Sequence, residues 1–465
     1  METMSYPCSP LLSFPMHEES SYLQWSPRVA HLENSLADPF PYLQEDCEFF
    51  DTIAIDPSNT NGQNAFDVDV LTHCHESLLH QESGNLAAIQ EELMEENSLS
   101  DLLLTGAEAV DAGDSSLASV VFSKLDHLLH ATTENAATSS FDRLAYHFAQ
   151  GLQSRMSGAC SPCYPPEPVQ SGTMSVLQMI QELSPFIKFT HFTANQAILD
   201  ATTGNMDVHV IDFNLGEGVQ WPSLMSDLAR QGGMSFHLTA IILDADYGDD
   251  SGHTAARHLT EFAESLDLPF QYSSLCIHSK EDLEDFSRNC EGPVVVSCDT
   301  TNLCYKLRNK LQVLLHGCVK KLQPTLVVLI EEELFRIGKE VSLSQASFVE
   351  IFFEALHHFT MVFESLACCF SSDNNRVCLR LVEKGMVGPK IQDFVGQYGS
   401  VTLEAPPPKD LEGFMSCELS ARNIAQARML VGLFNRSFGV AHEKGRLQLC
   451  WKSRPLISVS VWTPL

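Results

Sequence analysis

The chain has 465 residues, 44% of them hydrophobic, which is enough to bury a large core. Its 60 acidic and 28 basic residues give a formal net charge of -32, a charge that repels phosphate backbones. No apolar run approaches the roughly 20 residues of a membrane helix, and no secretory leader is apparent. These properties predict a soluble intracellular protein without a membrane partner.

Acidic residues dominate the beginning of the chain, where residues 1–123 contain one basic residue, Arg28. Aromatic and acidic residues mix at 42–51 and 66–71, and no helical or strand period persists there. Mixtures of this kind stay open because charge repulsion opposes collapse, and transcriptional activation segments share the chemistry. The composition predicts a disordered acidic tail over residues 1–90, either merely solvated or docking on a partner.

Helical spacing of leucines follows, and it predicts a mainly helical cap and loop over residues 91–183. Gly113–Ser115 is typical of a turn between antiparallel helices, another helix is predicted over about Phe141–Met156, and residues 158–172 are rich in proline. The segment 99–103 matches the Leu-x-x-Leu-Leu pattern of coregulator docking, although this spacing is also typical of a core. The candidate partner-binding residues are Leu99, Leu102, Leu103, Leu117, Val121, Leu125 and Leu128.

Short apolar strands alternate with amphipathic helices in residues 184–465, a pattern that predicts a mainly parallel sheet flanked by helices. The four strand candidates are Val208–Phe213, Leu238–Leu243, Pro293–Cys298 and Leu326–Ile330. Near the C terminus, residues 448–452 and 456–462 are separated by a turn at Ser453–Pro455. We expect this pair to form an antiparallel hairpin at the edge of the sheet.

A glycine-containing turn follows the first strand, at the place where nucleotide-binding folds hold a ligand. The candidate pocket residues are Asp212, Asn214, Gly216, Gly218 and, at the end of the next strand, Asp244. A methyltransferase loop has glycine where this chain has Asn214, and no general base is evident nearby. The residues leave open a retained ligand pocket or a purely structural turn, and they predict no catalytic residue and no cofactor.

Cysteine and histidine groups suggest a metal site at two places, His73–His75 with His80 and Cys160 with Cys163. Zinc needs four converging ligands, and neither group has a second pair at finger or ribbon spacing. The 15 cysteines are odd in number and irregular in spacing, which does not fit a disulfide framework. We therefore predict reduced thiols and no metal.

Direct DNA binding would require clustered cations. Basic residues gather at 306–321 and again in the C-terminal stretch, without a zinc-finger, zipper or homeodomain pattern. Arg446, Lys452 and Arg454 are the candidate DNA contacts. Alternatively, these cations pair with acidic helices or simply solvate the surface.

From about Leu93 to the C terminus, the order of motifs resembles the plant GRAS family. Residues 99–129 resemble its first leucine-rich region, Val208–Asp212 its VHIID motif, and residues 224–238 its second leucine-rich region. Residues 352–366 resemble the PFYRE-region helix, and Trp451, Arg454 and Trp462 resemble the terminal SAW motif. Segments 184–197 and 216–221 are most similar to the nodulation-signalling and scarecrow-like branch.

The resemblance implies a Rossmann-like, methyltransferase-like core under a helical cap, with the GRAS domain spanning residues 91–465. It implies a nuclear transcriptional regulator in plant developmental or symbiotic signalling, not an enzyme. The resemblance also implies that the protein associates with other GRAS proteins and with transcription factors, and that it contacts DNA through these partners. Two alternatives remain: a direct sequence-specific DNA-binding factor, and a small-molecule receptor or methyltransferase-like protein using the Gly216–Gly218 loop. One departure is Leu381-Val-Glu383-Lys384 in place of Arg-Val-Glu-Arg, and since Lys384 lacks a guanidinium fork, the sequence leaves open whether the salt bridge that the resemblance implies forms there.

Overall fold

The structure is a computed structural model. It describes residues 98–130, 139–158, 175–242, 250–277, 293–335, 347–372, 375–399, 411, 413–443 and 445–465. The predicted tail and Asp244 lie outside these residues, as do both cysteine and histidine groups.

Five helices precede the first strand: α1 (Leu99–Ala112), α2 (Ser115–His130), α3 (Ser140–Ser157), α4 (Val176–Leu183) and α5 (Pro185–Ala201). Their ends follow the sequence signals. The Ser98 side chain caps α1, and Gly113 ends it in the left-handed region with φ of 72°. Ser139 and Ser175 form capping boxes at α3 and α4. The predicted turn at Gly113–Ser115 and the helix near 141–156 are therefore present.

Strands and helices then alternate as β1 (Asp207–Asp212), α6 (Trp221–Gln231), β2 (Ser235–Ile242), α7 (Asp250–Ser265), β3 (Phe270–Cys276), β4 (Val294–Asp299), α8 (Tyr305–Leu322) and β5 (Leu326–Glu332). The five strands are parallel in the order β3-β2-β1-β4-β5. This is the doubly wound order, which confirms the predicted Rossmann-like fold.

Helices cover both faces of the sheet. On one face Val210 and Val295 belong to a core shared with α5, α6 and α7, while on the other Ile211 and Val296 pack with α8. Burial on both faces is the physical reason that β1, β2, β4 and β5 are nearly continuous apolar runs.

The remaining elements are α9 (Phe348–Cys369), α10 (Arg376–Val382), a π-helical turn (Glu383–Val387), α11 (Gly388–Gln397), β6 (Phe414–Cys417), α12 (Ala421–Val431), β7 (Phe438–Glu443), β8 (Arg446–Trp451) and β9 (Arg454–Pro464). The predicted C-terminal strands β8 and β9 do pair antiparallel. However, β9 also pairs antiparallel with β5, so it lies inside the sheet and β7 forms that end. The expected edge position was wrong because apolar strands do not reveal which neighbour covers their second edge.

Helices from two distant stretches build the cap. Leu102, Phe148 and Leu152 of α1 and α3 share one buried cluster with Phe352 of α9 and Val395 of α11. The cap is thus completed by α9 and α11, which begin 249 and 289 residues after the start of α1 and lie outside the helical pattern of residues 91–183.

The structure shows a salt bridge at Glu383. Glu383 accepts two hydrogen bonds from the guanidinium of Arg143 on α3, while Lys384 is exposed. The fork that Lys384 cannot provide comes from another element of the chain.

Candidate functional site

Two aspartates end neighbouring strands where the strand order of the sheet reverses. Asp212 is the last residue of β1 and Asp299 the last of β4, and these strands pair in parallel. In doubly wound sheets, ligands bind in the crevice at this reversal, outside the carboxyl ends of the strands.

Asp212 is buried and both of its carboxylate oxygens accept hydrogen bonds. The backbone N–H of Asn214 donates to Oδ1 at 2.9 Å and the indole Nε1–H of Trp221 donates to Oδ2 at 2.9 Å. Burial raises the pKa of the Asp212 carboxyl to about 7, against the opposing effect of these two hydrogen bonds. The motif aspartate therefore ties the end of β1 to the start of α6.

Asp299 is held in a similar way. Its Oδ1 accepts hydrogen bonds from the backbone N–H and hydroxyl of Thr301, and its backbone oxygen accepts one from Asn214 Nδ2 at 2.8 Å. His191 Nε2 of α5 lies 3.9 Å from Oδ2. Burial would raise the pKa of Asp299, but the contacts with His191 and Thr301 outweigh it and the pKa is lowered. The polar groups beside the turn thus satisfy one another.

The glycine-containing turn has the backbone that its sequence predicts. Gly216 and Gly218 have φ of 54° and 71°, in the left-handed region that glycine tolerates. A Cβ at Gly218 would lie 3.3 Å from Cδ1 of Leu259, whereas one at Gly216 would meet nothing within 4 Å. Gly216 is exposed, so the turn lies at the mouth of the crevice.

A cavity of about 630 Å³ extends from this turn beneath the cap. Its walls come from α4, α5, α9, the π-helical turn and α11, together with the ends of β1, β4 and β5. Asp212, Asn214 and Gly216 line it, as do Glu332 and Lys390, whose side chains form an ion pair of 2.6 Å. The described candidate pocket residues are therefore brought together around one cavity, except Gly218, which packs behind the turn.

Sequence reasoning missed the deeper polar residues Glu332, His358 and Lys390. One signal was available for the first of these, because three glutamates follow the apolar run of β5 directly. A charged residue at the carboxyl end of a buried parallel strand points to the ligand edge of the sheet. His358 and Lys390 carried no comparable signal, since helical packing alone places them there.

The candidate partner-binding leucines lie mostly in the cap core. Leu102, Leu103, Val121 and Leu125 have no accessible surface, and Leu99 and Leu117 pack partly buried against them. Leu128 is 37% exposed. A partner could touch the four buried side chains only after the helices move, so direct contact in this conformation falls to Leu128 and to the accessible parts of Leu99 and Leu117.

The candidate DNA contacts lie on β8 and around the turn between β8 and β9, and two of them are paired with acids. Lys452 Nζ lies 2.9 Å from Glu364, and Arg454 Nη2 donates to Glu354 at 2.7 Å. Arg446 begins β8 and is half-buried. Helix α9 thus supplies an acidic partner to two of the three candidate cations, Lys452 and Arg454.

Metal sites, disulfides and membrane-spanning helices were also considered for the described part of the chain. No group of three or more metal-binding side chains converges there, and its nine cysteines are all free thiols. Within the same ranges, no helix combines the length and apolar content required to cross a bilayer.

Comparison with known proteins identifies relatives along most of the chain. The model of the GRAS domain family matches residues 99–463. Protein NODULATION SIGNALING PATHWAY 2 of Medicago truncatula is 33% identical, over 78% of this chain and 75% of that protein. DELLA protein GAIP of Cucurbita maxima is 32% identical, over 78% of this chain and 62% of that protein. The crystal structure of SCL7 from Oryza sativa superposes with a TM-score of 0.58 at 26% identity, covering 79% of this chain and all of that one.

Proposed function

Because this chain belongs to the GRAS domain family, we propose that it is a nuclear coregulator of transcription in plant developmental or symbiotic signalling. The GRAS relatives of the nodulation-signalling, DELLA and scarecrow-like groups are plant transcriptional regulators. The relatives named for nodulation signalling favour the symbiotic context. In this proposal residues 1–90 form an acidic recruiting tail and residues 91–465 the GRAS domain.

The pairing of the C-terminal cations is the observation that favours a coregulator over a direct DNA reader. Phosphate contacts need cations that are free to replace counterions. Lys452 and Arg454 instead contact Glu364 and Glu354 on α9, in a chain whose net charge is -32. DNA contact would accordingly be supplied by a transcription factor or another GRAS protein bound to this chain.

The arrangement around Asp212 favours a regulatory role over catalysis. A catalytic carboxylate must reach a substrate proton or bond. The oxygens of Asp212 are occupied by Trp221 and Asn214, and Oδ1 of Asp299 by Thr301. These contacts make the motif a structural joint between sheet and helix.

Association with other GRAS proteins is assigned to the cap in this proposal. The exposed side of α1 and α2 carries mainly serine and acidic residues, with Leu128 as an exposed apolar residue on α2. Helix positions there depend on the buried leucines beneath. Loss of those leucines would disturb the surface without removing a direct contact.

Fluorescence anisotropy tests the coregulator proposal. A labelled duplex from a promoter that depends on the protein is titrated with the full chain across a salt series, with and without a GRAS partner. We expect binding only when the partner is present. Tight, salt-sensitive binding by the chain alone would instead establish the DNA reader.

Charge reversal refines that experiment. Arg446→Glu with Lys452→Glu should leave both the affinity and the salt dependence of the partnered complex unchanged, because in this proposal the partner supplies the DNA contacts. Arg257→Glu on exposed α7 is the matched control. A smaller salt slope in the double variant but not in the control would assign phosphate contacts to β8 and β9.

A further inference from the structure

The cavity beneath the cap is apolar along most of its length. Ile180, Phe186, Phe359, Val362 and Leu366 line it from the cap side. Its volume of about 630 Å³ lies in the range of pockets that hold drug-sized molecules. At the mouth, the hydroxyl of Ser175 donates to Glu217 at 2.9 Å and joins the start of α4 to the glycine turn.

The mouth is unsuited to a nucleotide cofactor. Such a ligand needs free acceptors for its ribose hydroxyls and free N–H groups for its phosphates. Here Asn214 donates hydrogen bonds to Asp212 and to the backbone oxygen of Asp299, and Asp212 also accepts one from Trp221 at the start of α6. The carboxylates that line the cavity also outnumber Lys390, so an anionic ligand would be repelled.

Polar atoms without hydrogen-bond partners lie instead at the end of the cavity formed by Glu332 and His358. Glu332 and His358 both line the cavity and are 8% and 1% exposed. Among the described residues, Glu332 Oε2 and His358 Nδ1 are buried atoms without a hydrogen-bond partner, while Lys390 holds the other oxygen of Glu332. Unpaired buried polar atoms cost free energy, which a ligand hydroxyl can recover.

The charge states at this end favour a neutral ligand. Burial lowers the pKa of His358 to about 4, so its imidazole is uncharged at neutral pH. Burial would raise the pKa of Glu332, but Lys390 and Arg308 outweigh it, and the carboxylate stays ionised and accepts hydrogen bonds. A hydroxyl group can donate to the carboxylate, and it can either donate to or accept from the imidazole.

We propose that this cavity binds an uncharged, mainly apolar small molecule that carries at least one hydroxyl group. Its apolar body packs between α5 and α9, and its hydroxyl bonds Glu332 and His358 after these side chains turn toward the cavity, because Glu332 Oε2 and His358 Nδ1 are both buried. Because the cavity walls come from both the cap and the sheet, the bound molecule stabilises their arrangement. The site thereby couples a small molecule to the surface that the cap presents.

Nile red, an uncharged apolar dye, tests the cavity in the full chain by fluorescence titration. We expect saturable binding at one site. Val362→Trp fills the cavity and should weaken binding by at least about tenfold, a loss typical of removing an apolar pocket contact. Val313→Trp, at a position 53% exposed on α8, is the matched control and should bind as the parent does.

Bisphenol A and its dimethyl ether test the hydroxyl part, because the ether keeps the apolar body and removes the donors. Bisphenol A should displace the dye at roughly five- to tenfold lower concentration than the ether, as expected for one net hydrogen bond. Equal displacement would overturn the assignment to Glu332 and His358.

Absence of saturable dye binding, or equal binding by Val362→Trp and Val313→Trp, would overturn the site itself. If circular dichroism shows that Val362→Trp does not fold, Leu177→Trp on α4, which fills the same cavity, replaces it in the comparison with Val313→Trp.

Discussion

Arg143 and Glu383 form a two-point salt bridge across 240 positions of sequence. Arg143 Nε lies 2.7 Å from Glu383 Oε2, and Nη2 lies 2.7 Å from Oε1. Their side chains are 13% and 4% exposed, so the pair is largely withdrawn from water. It joins α3 of the cap to the π-helical turn, next to the wall of the cavity.

Removing the guanidinium should therefore destabilise the fold. Arg143→Ala leaves Glu383 buried with Arg380, at 3.8 Å, as its remaining cation among the described residues, and we expect a loss of about 3 kcal/mol in the free energy of unfolding. Arg230→Ala is the control, because its pair with Asp227 is exposed and should change stability by less than about 0.5 kcal/mol. Urea denaturation of both variants measures the difference, and equal losses would contradict the structural role.

Stability should depend on pH through Asp212. Its pKa is raised in the folded chain to about 7 from an ordinary 3.8, so the folded state holds the proton more tightly. The free energy of unfolding therefore falls as the pH rises through this interval and levels off above it. Between pH 5.5 and pH 8, the parent should lose on the order of 2 kcal/mol relative to Asp212→Asn, which lacks the titrating group. Parallel pH profiles for the two proteins would contradict the shifted pKa.

Two leucines on α2 distinguish a side chain that positions the cap helices from one that contacts a GRAS partner. Leu125 is fully buried, and Leu125→Ala should cost about 2 to 5 kcal/mol of stability. Leu128 is 37% exposed, and Leu128→Asp should change stability by less than about 0.5 kcal/mol while weakening association with a GRAS partner. Light scattering after gel filtration measures association. Val377→Asp, at a position 67% exposed on α10, controls for the added charge and should associate normally.

The glycine turn offers a matched pair of substitutions. Gly216 and Gly218 both have positive φ, so alanine at either position costs about 1 kcal/mol in backbone strain. At Gly218 the added methyl also crowds Leu259, and we expect a total near 2 kcal/mol. Thermal unfolding compares the two variants. An equal loss of stability at both positions would show that the Leu259 side chain moves away from the added methyl group without cost.

Local patterns predicted most of the fold. The apolar runs of β1, β2, β4 and β5 predicted a parallel sheet, because strands buried on both faces need no alternation. Strand β3 was missed because it lies at the end of the sheet, where its residues are half-buried or exposed and form no apolar run. The position of β9 was also misjudged, because its pairing with β5 depends on residues more than a hundred positions away.

The sequence by itself determined the glycine turn after β1, the turn between α1 and α2 and the alternation of buried strands with helices, since each depends on neighbouring residues. Only the tertiary structure decided which charges neutralise each other. It paired Arg143 with Glu383 and Arg454 with Glu354, although nothing local links these residues. It also enclosed Glu332 and His358 at one end of an apolar cavity. Side-chain chemistry is local information, but burial and the identity of a partner arise when distant segments pack together.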